Sequence, residues 1–242
     1  MATVILVRHG RTAANATGVL AGWTPGVHLD DKGREQAAAV AARLAVVPLA
    51  AVVTSPLERT RETAEAILVG RDPLPALEVD ERVGECRYGD WTNQPLKNLA
   101  KEPLWKVVQA HPSAAVFPGA EGESMADMSS RAVGAVREWN ARLSEGGVDP
   151  TYVVVSHGDV IKAITADALG MHLDVFQRLQ VDPCSVTVIR YTDLRPFVLR
   201  TNDTGGDLSG LVPPPKAKRR RRSGSGSSTA SSDAVVGGGA GA

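Results

Sequence analysis

Two short apolar runs, each leading into His-Gly, constrain the fold of this chain more than any other feature. Val4–Val7 is followed within two residues by His9-Gly10, and Tyr152–Val155 is followed in the same way by His157-Gly158. Runs of this length and composition are typical of strands buried in a parallel sheet. Because ligands bind outside the carboxyl ends of such strands, we expect both histidines at one crevice. Glycine after each histidine lets backbone N–H groups approach an anion closely, so the pattern predicts an anion site.

Helix-like and strand-like segments alternate along the rest of the chain. Asp30 or Asp31 is expected to cap the first helix, Ser55-Pro56 the second, and Ser124 a long later one. Alternation of this kind predicts a three-layer α/β/α sandwich with a mostly parallel central sheet. We expect helices near 31–44, 57–68, 95–109, 125–143 and 159–169, and further strands near 51–54, 77–79, 185–191 and 197–200, the last two as a hairpin-like pair.

The end of the chain differs sharply in composition from the rest. Six of the 27 basic residues but only one of the 27 acidic residues lie in 213–242, so that this stretch carries a net charge of +5. It opens with three prolines and a basic run over 216–222, after which Ser, Gly and Ala dominate. Such a composition buries too little apolar surface to offset chain entropy. We therefore predict one catalytic domain over 1–212 and a disordered basic and Gly/Ser/Ala-rich tail over 213–242.

Several classes of protein are disfavoured by what the sequence lacks. The first apolar run does not resemble a secretory signal peptide, because it has no preceding basic region and no small-residue cleavage site. No stretch approaches the roughly 20 apolar residues of a membrane helix. Cys86 and Cys184 show no metal-ligand spacing, and two unpaired thiols suit a reducing compartment. We expect a cytoplasmic protein without a membrane partner. The sequence does not indicate its oligomeric state.

Six blocks in a particular order carry a resemblance to a known family. They are 6–12 with Asn15, 29–37, 55–63, Glu85 with Gly89 and Trp91, 122–124, and 156–158. In this order they resemble the histidine phosphatase, or phosphoglycerate mutase-like, superfamily. The segments 85–99 and 156–189 are similar to its branch of broad-specificity and alpha-ribazole phosphatases. Thr92-Asn93 departs from that branch, which usually has an acidic residue and glycine there.

The resemblance implies a two-step phosphoryl transfer. His9 would attack phosphorus through one ring nitrogen while the other bonds a carbonyl, which gives a phosphohistidine intermediate. Glu85 would protonate the leaving oxygen and then activate water, and His157 would complete the catalytic set. Arginine forks match the geometry of phosphate oxygens. The substrate-binding residues that the resemblance implies are Arg8, Asn15, Arg59 and Gly158.

Two of these assignments have alternatives within the sequence. Asp80, Glu81 and Asp90 lie close to Glu85, and any of them could be the acid instead. Arg59 could instead pair with a glutamate three positions further along its helix, which is an ordinary surface contact.

The predicted function is a phosphomonoesterase that acts on a small-molecule phosphate ester. The alternative is a phosphoglycerate mutase-like phosphomutase, and the second alternative is a phosphate-binding module with a weakly nucleic-acid-binding tail. A run of basic residues without interleaved aromatics gives only weak attraction to nucleic acid, so nucleic acid is not an expected partner. No metal or other cofactor is predicted, because the arginines and histidines already supply positive charge to the phosphate.

Overall fold

The structure is a computed structural model that describes residues 1–206 together with Val236, Gly237 and Gly239. None of the helices in this part of the chain has the length and apolar character needed to cross a membrane. The strands are β1 (Ala2–Arg8), β2 (Val19–Leu20), β3 (Ala51–Thr54), β4 (Ala76–Val79), β5 (Gln94–Pro95), β6 (Thr151–Ser156), β7 (Val186–Tyr191) and β8 (Pro196–Asp203). The α-helices are α1 (Ala13–Thr17), α2 (Asp31–Leu44), α3 (Glu58–Leu68), α4 (Leu96–Leu99), α5 (Pro103–Ala110), α6 (Met125–Leu143) and α7 (Gly158–Ala168).

Six strands form the central sheet in the order β4-β3-β6-β1-β7-β8. Strand β7 pairs antiparallel with both β1 and β8, whereas the other pairings are parallel, so five of the six strands run in one direction. The predicted sheet type is therefore confirmed. Arg8 on β1 lies opposite Ser156 on β6, which brings the next residues, His9 and His157, to the same edge of the sheet.

Alternating side chains of β1 enter two different apolar layers. Val4 and Leu6 belong to the buried cluster that includes residues of α6 and α7. Ile5 and Val7 belong to the cluster that includes residues of α2 and α3. Both layers are apolar, so each of these aliphatic side chains contributes about 1.5–3 kcal/mol through its burial. The pairing of β1 with β6 and β7 sets the register of the strand and so the position at which His9 follows it.

Helix starts follow the predicted capping chemistry in two of three cases. The Asp30 carboxylate accepts the Gly33 N–H at 2.7 Å, and the Ser124 hydroxyl accepts the Asp127 N–H at 2.9 Å. The predicted cap of α3 is wrong, because the N-cap residue is Leu57 and no side chain caps the helix. The Ser55 hydroxyl instead contacts a histidine of the site described below.

The single helix predicted near 95–109 is two helices, α4 and α5. Pro103 is the first residue of α5. Proline lacks an N–H and its ring clashes with the carbonyl four residues earlier, so a helix cannot continue smoothly from α4 through this position.

The predicted boundary at residue 212 and most of the predicted tail lie outside the described residues. Disorder over 213–242 therefore stays a prediction. Three residues of this stretch, Val236, Gly237 and Gly239, are described, and they contact the domain. Val236 is apolar and is only 1% exposed, a feature that the Gly/Ser/Ala composition of its surroundings hides.

Candidate active site

His9 follows β1 and is 2% exposed. Its Nδ1 lies 2.7 Å from the Gly10 carbonyl oxygen, to which it can only donate, so Nε2 carries the lone pair. Burial, together with the charges of Arg59 and Arg8, lowers the pKa of His9 well below its usual range. The ring is therefore neutral, which is the state that a nucleophile requires.

The glycine after His9 serves packing rather than direct anion approach. A Cβ on Gly10 would lie 2.5 Å from the Gly33 carbonyl oxygen at the start of α2. The Gly10 N–H donates to the Thr63 hydroxyl at 3.1 Å. Gly10 thus allows the loop after β1 to lie against α2, and its own N–H is already used.

His157 follows β6 and is fully buried, with its ring centroid 5.2 Å from that of His9. Its Nε2 lies 2.8 Å from Ser55 Oγ, and its Nδ1 lies 3.3 Å from Arg59 Nη2. Because a guanidinium can only donate, Nδ1 accepts and Nε2–H donates to Ser55. Burial and the charge of Arg59 lower the pKa of His157 well below its usual range, so this ring is also neutral.

Arg59 projects from α3 and is 2% exposed. Its Nη2 also donates to the Gly22 carbonyl at 2.9 Å, whereas its Nη1 has no hydrogen-bond partner among the described residues. The alternative surface pair with Glu62 is wrong, because the Glu62 carboxylate contacts His28 and the Leu29 N–H. Arg59 therefore holds a buried donor that is available to a ligand.

Arg8 is fully buried at the end of β1. Its Nη1 donates to the carbonyls of Val181 and Gly239, both at 2.8 Å, and its Nη2 donates to the Gly237 carbonyl at 3.4 Å. Two of these three acceptors belong to the predicted tail, which the sequence did not indicate.

Glu85 is 3% exposed, and one carboxyl oxygen lies 3.9 Å from His157 Nδ1. Burial and the nearby negative charge of Asp159 raise the pKa of Glu85 to about 7. Its own carbonyl accepts hydrogen bonds from Trp23 Nε1 at 2.6 Å and Arg131 Nη2 at 2.9 Å, which fix the backbone. A carboxyl group that retains a proton near neutral pH suits general acid catalysis.

The three sequence neighbours of Glu85 have other surroundings. Glu81 and Asp90 are exposed. Although burial opposes the shift, hydrogen bonds from Arg82 and Trp139 lower the pKa of Asp80, which keeps it ionised. The geometry therefore favours Glu85 among the four candidates.

A cavity of about 400 Å³ brings most of these groups together. Four of the predicted site residues line it, namely His9, Asn15, Arg59 and Glu85. Arg8, His157 and Gly158 are not among its lining residues. His157 instead contacts Arg59, and Gly158 begins α7. Within the described residues, no group of three or more His, Cys, Asp or Glu side chains is arranged to hold a metal ion.

Asn15 lines this cavity but also has a structural role. Its Oδ1 accepts hydrogen bonds from the Thr12 N–H at 3.1 Å and hydroxyl at 3.0 Å, which caps α1. The amide nitrogen is thus the atom through which Asn15 can donate to a ligand.

Sequence reasoning missed three features of the site. The capping pattern predicts Ser55 as a helix cap, whereas its hydroxyl contacts His157. The signal that could have indicated a site role is that Ser55 lies in the same motif, 55–63, as Arg59. Asp159 directly follows the second His-Gly and is fully buried, where its carboxylate accepts the Tyr88 hydroxyl at 3.0 Å. The apolar Val236 was the signal for the tail contact, and it was hidden in a stretch of small residues.

The sequence pattern of the histidine phosphatase superfamily (branch 1) matches residues 4–204. A Cronobacter sakazakii protein named probable phosphoglycerate mutase GpmB is 32% identical over 220 residues, which cover 88% of this chain and 97% of that protein. A glucosyl-3-phosphoglycerate phosphatase of Mycolicibacterium vanbaalenii is 34% identical over 175 residues, which cover 71% of this chain and 76% of that protein.

Solved structures agree with these sequence matches. Bacillus stearothermophilus YhfR superposes with a TM-score of 0.75 at 30% identity, covering 84% of this chain and 98% of that one. The alpha-ribazole phosphatase from Shigella flexneri superposes with a TM-score of 0.71 at 26% identity, covering 85% of this chain and 98% of that one.

Proposed function

The chain belongs to the histidine phosphatase superfamily and is an enzyme of that family, and we propose that it is a phosphomonoesterase. It would release phosphate from a small-molecule ester through a phosphohistidine intermediate. One observation carries the proposal: a neutral His9 with its Nδ1 bound to the Gly10 carbonyl lines the same cavity as Arg59 and a protonatable Glu85. Nucleophile, cation and acid are thus available to one bound phosphate ester.

In the first step, His9 Nε2 forms a bond to phosphorus and the ester P–O bond breaks. The electron pair of that bond goes to the leaving oxygen, which takes the proton from Glu85. Arg59 Nη1 points a buried donor at the transferring oxygens, where a preorganised charge lowers the barrier. His157 supports this donor by accepting a hydrogen bond from the same guanidinium.

In the second step, water displaces His9 from phosphorus. The Glu85 carboxylate takes a proton from the water as its oxygen attacks, and the N–P bond breaks to leave phosphate and neutral His9. The buried setting of Glu85, with a pKa of about 7, supports both roles because neither protonation state is strongly disfavoured near neutral pH.

Small phosphate esters are the substrate class that the comparisons support. The Mycolicibacterium vanbaalenii relative is named a glucosyl-3-phosphoglycerate phosphatase, and a Hydrogenobacter thermophilus relative is named phosphoserine phosphatase 1. A cavity of about 400 Å³ lies within the range typical of small-molecule sites.

The first test measures phosphate release from a panel of phosphomonoesters, including 3-phosphoglycerate, with a chelator present. Wild type is expected to turn over at least one ester and His9→Ala none, while the exposed control His111→Ala behaves as wild type. Mass spectrometry after rapid quenching at alkaline pH should detect one added phosphoryl group on wild type only. Interconversion of phosphoglycerates without phosphate release would establish a phosphomutase instead. Absence of chemistry on every ester would favour a phosphate-binding module.

A further inference from the structure

Three residues from near the end of the chain, Val236, Gly237 and Gly239, line the cavity that holds His9. We call these three residues the tail segment. Val236 is 1% exposed and belongs to the buried cluster that contains Leu20 and Tyr88. The tail segment is thus embedded in the domain beside the catalytic groups.

Two buried charges of opposite sign hold the tail segment. The Gly237 N–H donates to the Asp159 carboxylate at 2.9 Å. The carbonyls of Gly237 and Gly239 accept from the Arg8 guanidinium at 3.4 and 2.8 Å. Charge-assisted hydrogen bonds of this kind are stronger than those between neutral groups.

Glycine is required at position 237 for this arrangement. Its φ of +73° is a conformation that other residues rarely adopt. A Cβ there would lie 2.9 Å from Leu20 Cδ1. Any larger residue would therefore strain the backbone at this position and require Leu20 to shift.

We propose that Arg8, Tyr88 and Asp159 form a binding site for the tail segment, and that the bound segment competes with the phosphate ester for Arg8. The inference rests on the proposed function and on the role that the family resemblance implies for Arg8, which is to bind a phosphoryl oxygen. Peptide carbonyls now accept the N–H groups that a phosphoryl oxygen would otherwise take. Because the tail segment and the ester share one cavity, binding of the ester to Arg8 requires the segment to move.

Competition of this kind acts on apparent affinity. If the segment is bound roughly nine-tenths of the time, the apparent Kd for the ester is about tenfold weaker than the intrinsic one. Loosening the segment should therefore lower KM about tenfold and leave kcat nearly unchanged. A segment that merely completes the substrate pocket would have the opposite effect on KM.

Full-length variants provide the first arm of the test. Val236→Asp places a charge in a buried apolar site, and Gly237→Val strains the backbone. Val46→Asp at an 86% exposed position and Gly146→Val at an open turn with φ of +81° are the matched controls. Both tail variants are expected to lower KM and the controls to leave it unchanged. An unchanged or raised KM in the tail variants would overturn the proposal.

The second arm uses inorganic phosphate and does not depend on turnover. Calorimetry is expected to show tighter phosphate binding by Val236→Asp than by wild type, and hydrogen exchange of the peptide containing Gly237 should accelerate when wild type is saturated with phosphate. Protection of that peptide that persists with phosphate bound would overturn the competition. Turnover without these changes would overturn only the tail proposal, whereas failure of wild type and Val236→Asp to bind phosphate would overturn the proposed function as well.

Discussion

The two His-Gly strand ends have nearly the same local sequence but different surroundings. At the end of β1, His9 uses Nδ1 for the adjacent Gly10 carbonyl and presents Nε2 to the cavity. At the end of β6, both nitrogens of His157 have partners from α3 and the residues before it, Arg59 and Ser55. In the proposed function, His9 attacks the substrate and His157 holds a neighbouring donor in place.

This difference shows that residue type and strand end are not enough to assign a role. Both rings are buried and neutral, so protonation state does not distinguish them. What distinguishes them is that both ring nitrogens of His157 have hydrogen-bond partners, whereas Nε2 of His9 has none among the described residues. Substitutions at the two histidines and at their partners test that distinction.

Replacing the two histidines should give unequal losses. His9→Ala is expected to reduce kcat by about 10⁴-fold or more, because no other group can form the covalent intermediate. His157→Ala should cost roughly 10²- to 10³-fold, as expected for one stabilising group. Quenched-flow kinetics with detection of the phosphoenzyme checks this difference. Loss of the phosphoenzyme in His157→Ala, with its retention in His9→Ala, would reverse the two assignments.

Arg59 contacts His157 and also lines the cavity. Its planar guanidinium can donate to several acceptors at once, which a lysine ammonium cannot do in the same geometry. Arg59→Lys should lower kcat/KM roughly 10²-fold, since an ammonium cannot contact Gly22, His157 and a phosphoryl oxygen at once. Arg61→Lys, an exposed position on the same helix, is the matched control and should change kcat/KM less than twofold, an effect of only about 0.4 kcal/mol. Equal effects of the two substitutions would remove Arg59 from the phosphate site.

Ser55 is expected to affect catalysis through His157, although its hydroxyl also accepts the Leu57 N–H at 3.4 Å. Ser55→Ala removes the acceptor of the His157 Nε2 proton, and loss of one such hydrogen bond is expected to lower kcat/KM roughly tenfold. In the His157→Ala background, the same substitution should have almost no further effect, because its partner is already absent. The exposed Ser130→Ala is the control. Full additivity in the double mutant would contradict a role through His157.

The raised pKa of Glu85 should make the free energy of unfolding depend on pH. The pKa of Glu85 is raised from 4.5 to about 7 in the folded protein, so the folded state binds the proton more tightly than the unfolded chain. Stability from this group is therefore fully present below pH 4.5 and is lost as the pH rises to about 7.

Glu85→Gln removes this dependence. Its Tm relative to wild type should be higher at pH 8 than at pH 4.5 by roughly 6–12 °C, because the raised pKa corresponds to about 3 kcal/mol between these two pH values. Thermal unfolding followed by circular dichroism at the two pH values checks this, with the exposed Glu81→Gln as control. No such difference in Glu85→Gln would show that Glu85 ionises normally. The same difference in Glu81→Gln would show that the effect is not specific to Glu85.

Much of the fold and several site residues could be predicted from local patterns. The run over β1, the caps Asp30 and Ser124, and the hairpin of β7 and β8 depend on neighbours in sequence, and all are present in the structure. The ordered blocks placed His9, Arg59 and Glu85, and the cavity brings these three together. Local reasoning failed at Ser55, because its hydroxyl bonds His157, which lies 102 residues away in sequence.

The sequence by itself determined the sheet type, the two histidines at one edge and the family, because adjacent residues encode the apolar runs and caps, and the linear order of the motifs identifies the family. Only the tertiary structure decided which histidine presents a nitrogen to the cavity, why Glu85 holds a proton, and that the tail segment reaches Arg8. Each of these depends on burial or on hydrogen bonds across long stretches of chain, 98 residues from Arg59 to His157 and 231 from Arg8 to Gly239. No local pattern encodes the low-dielectric surroundings that such contacts create.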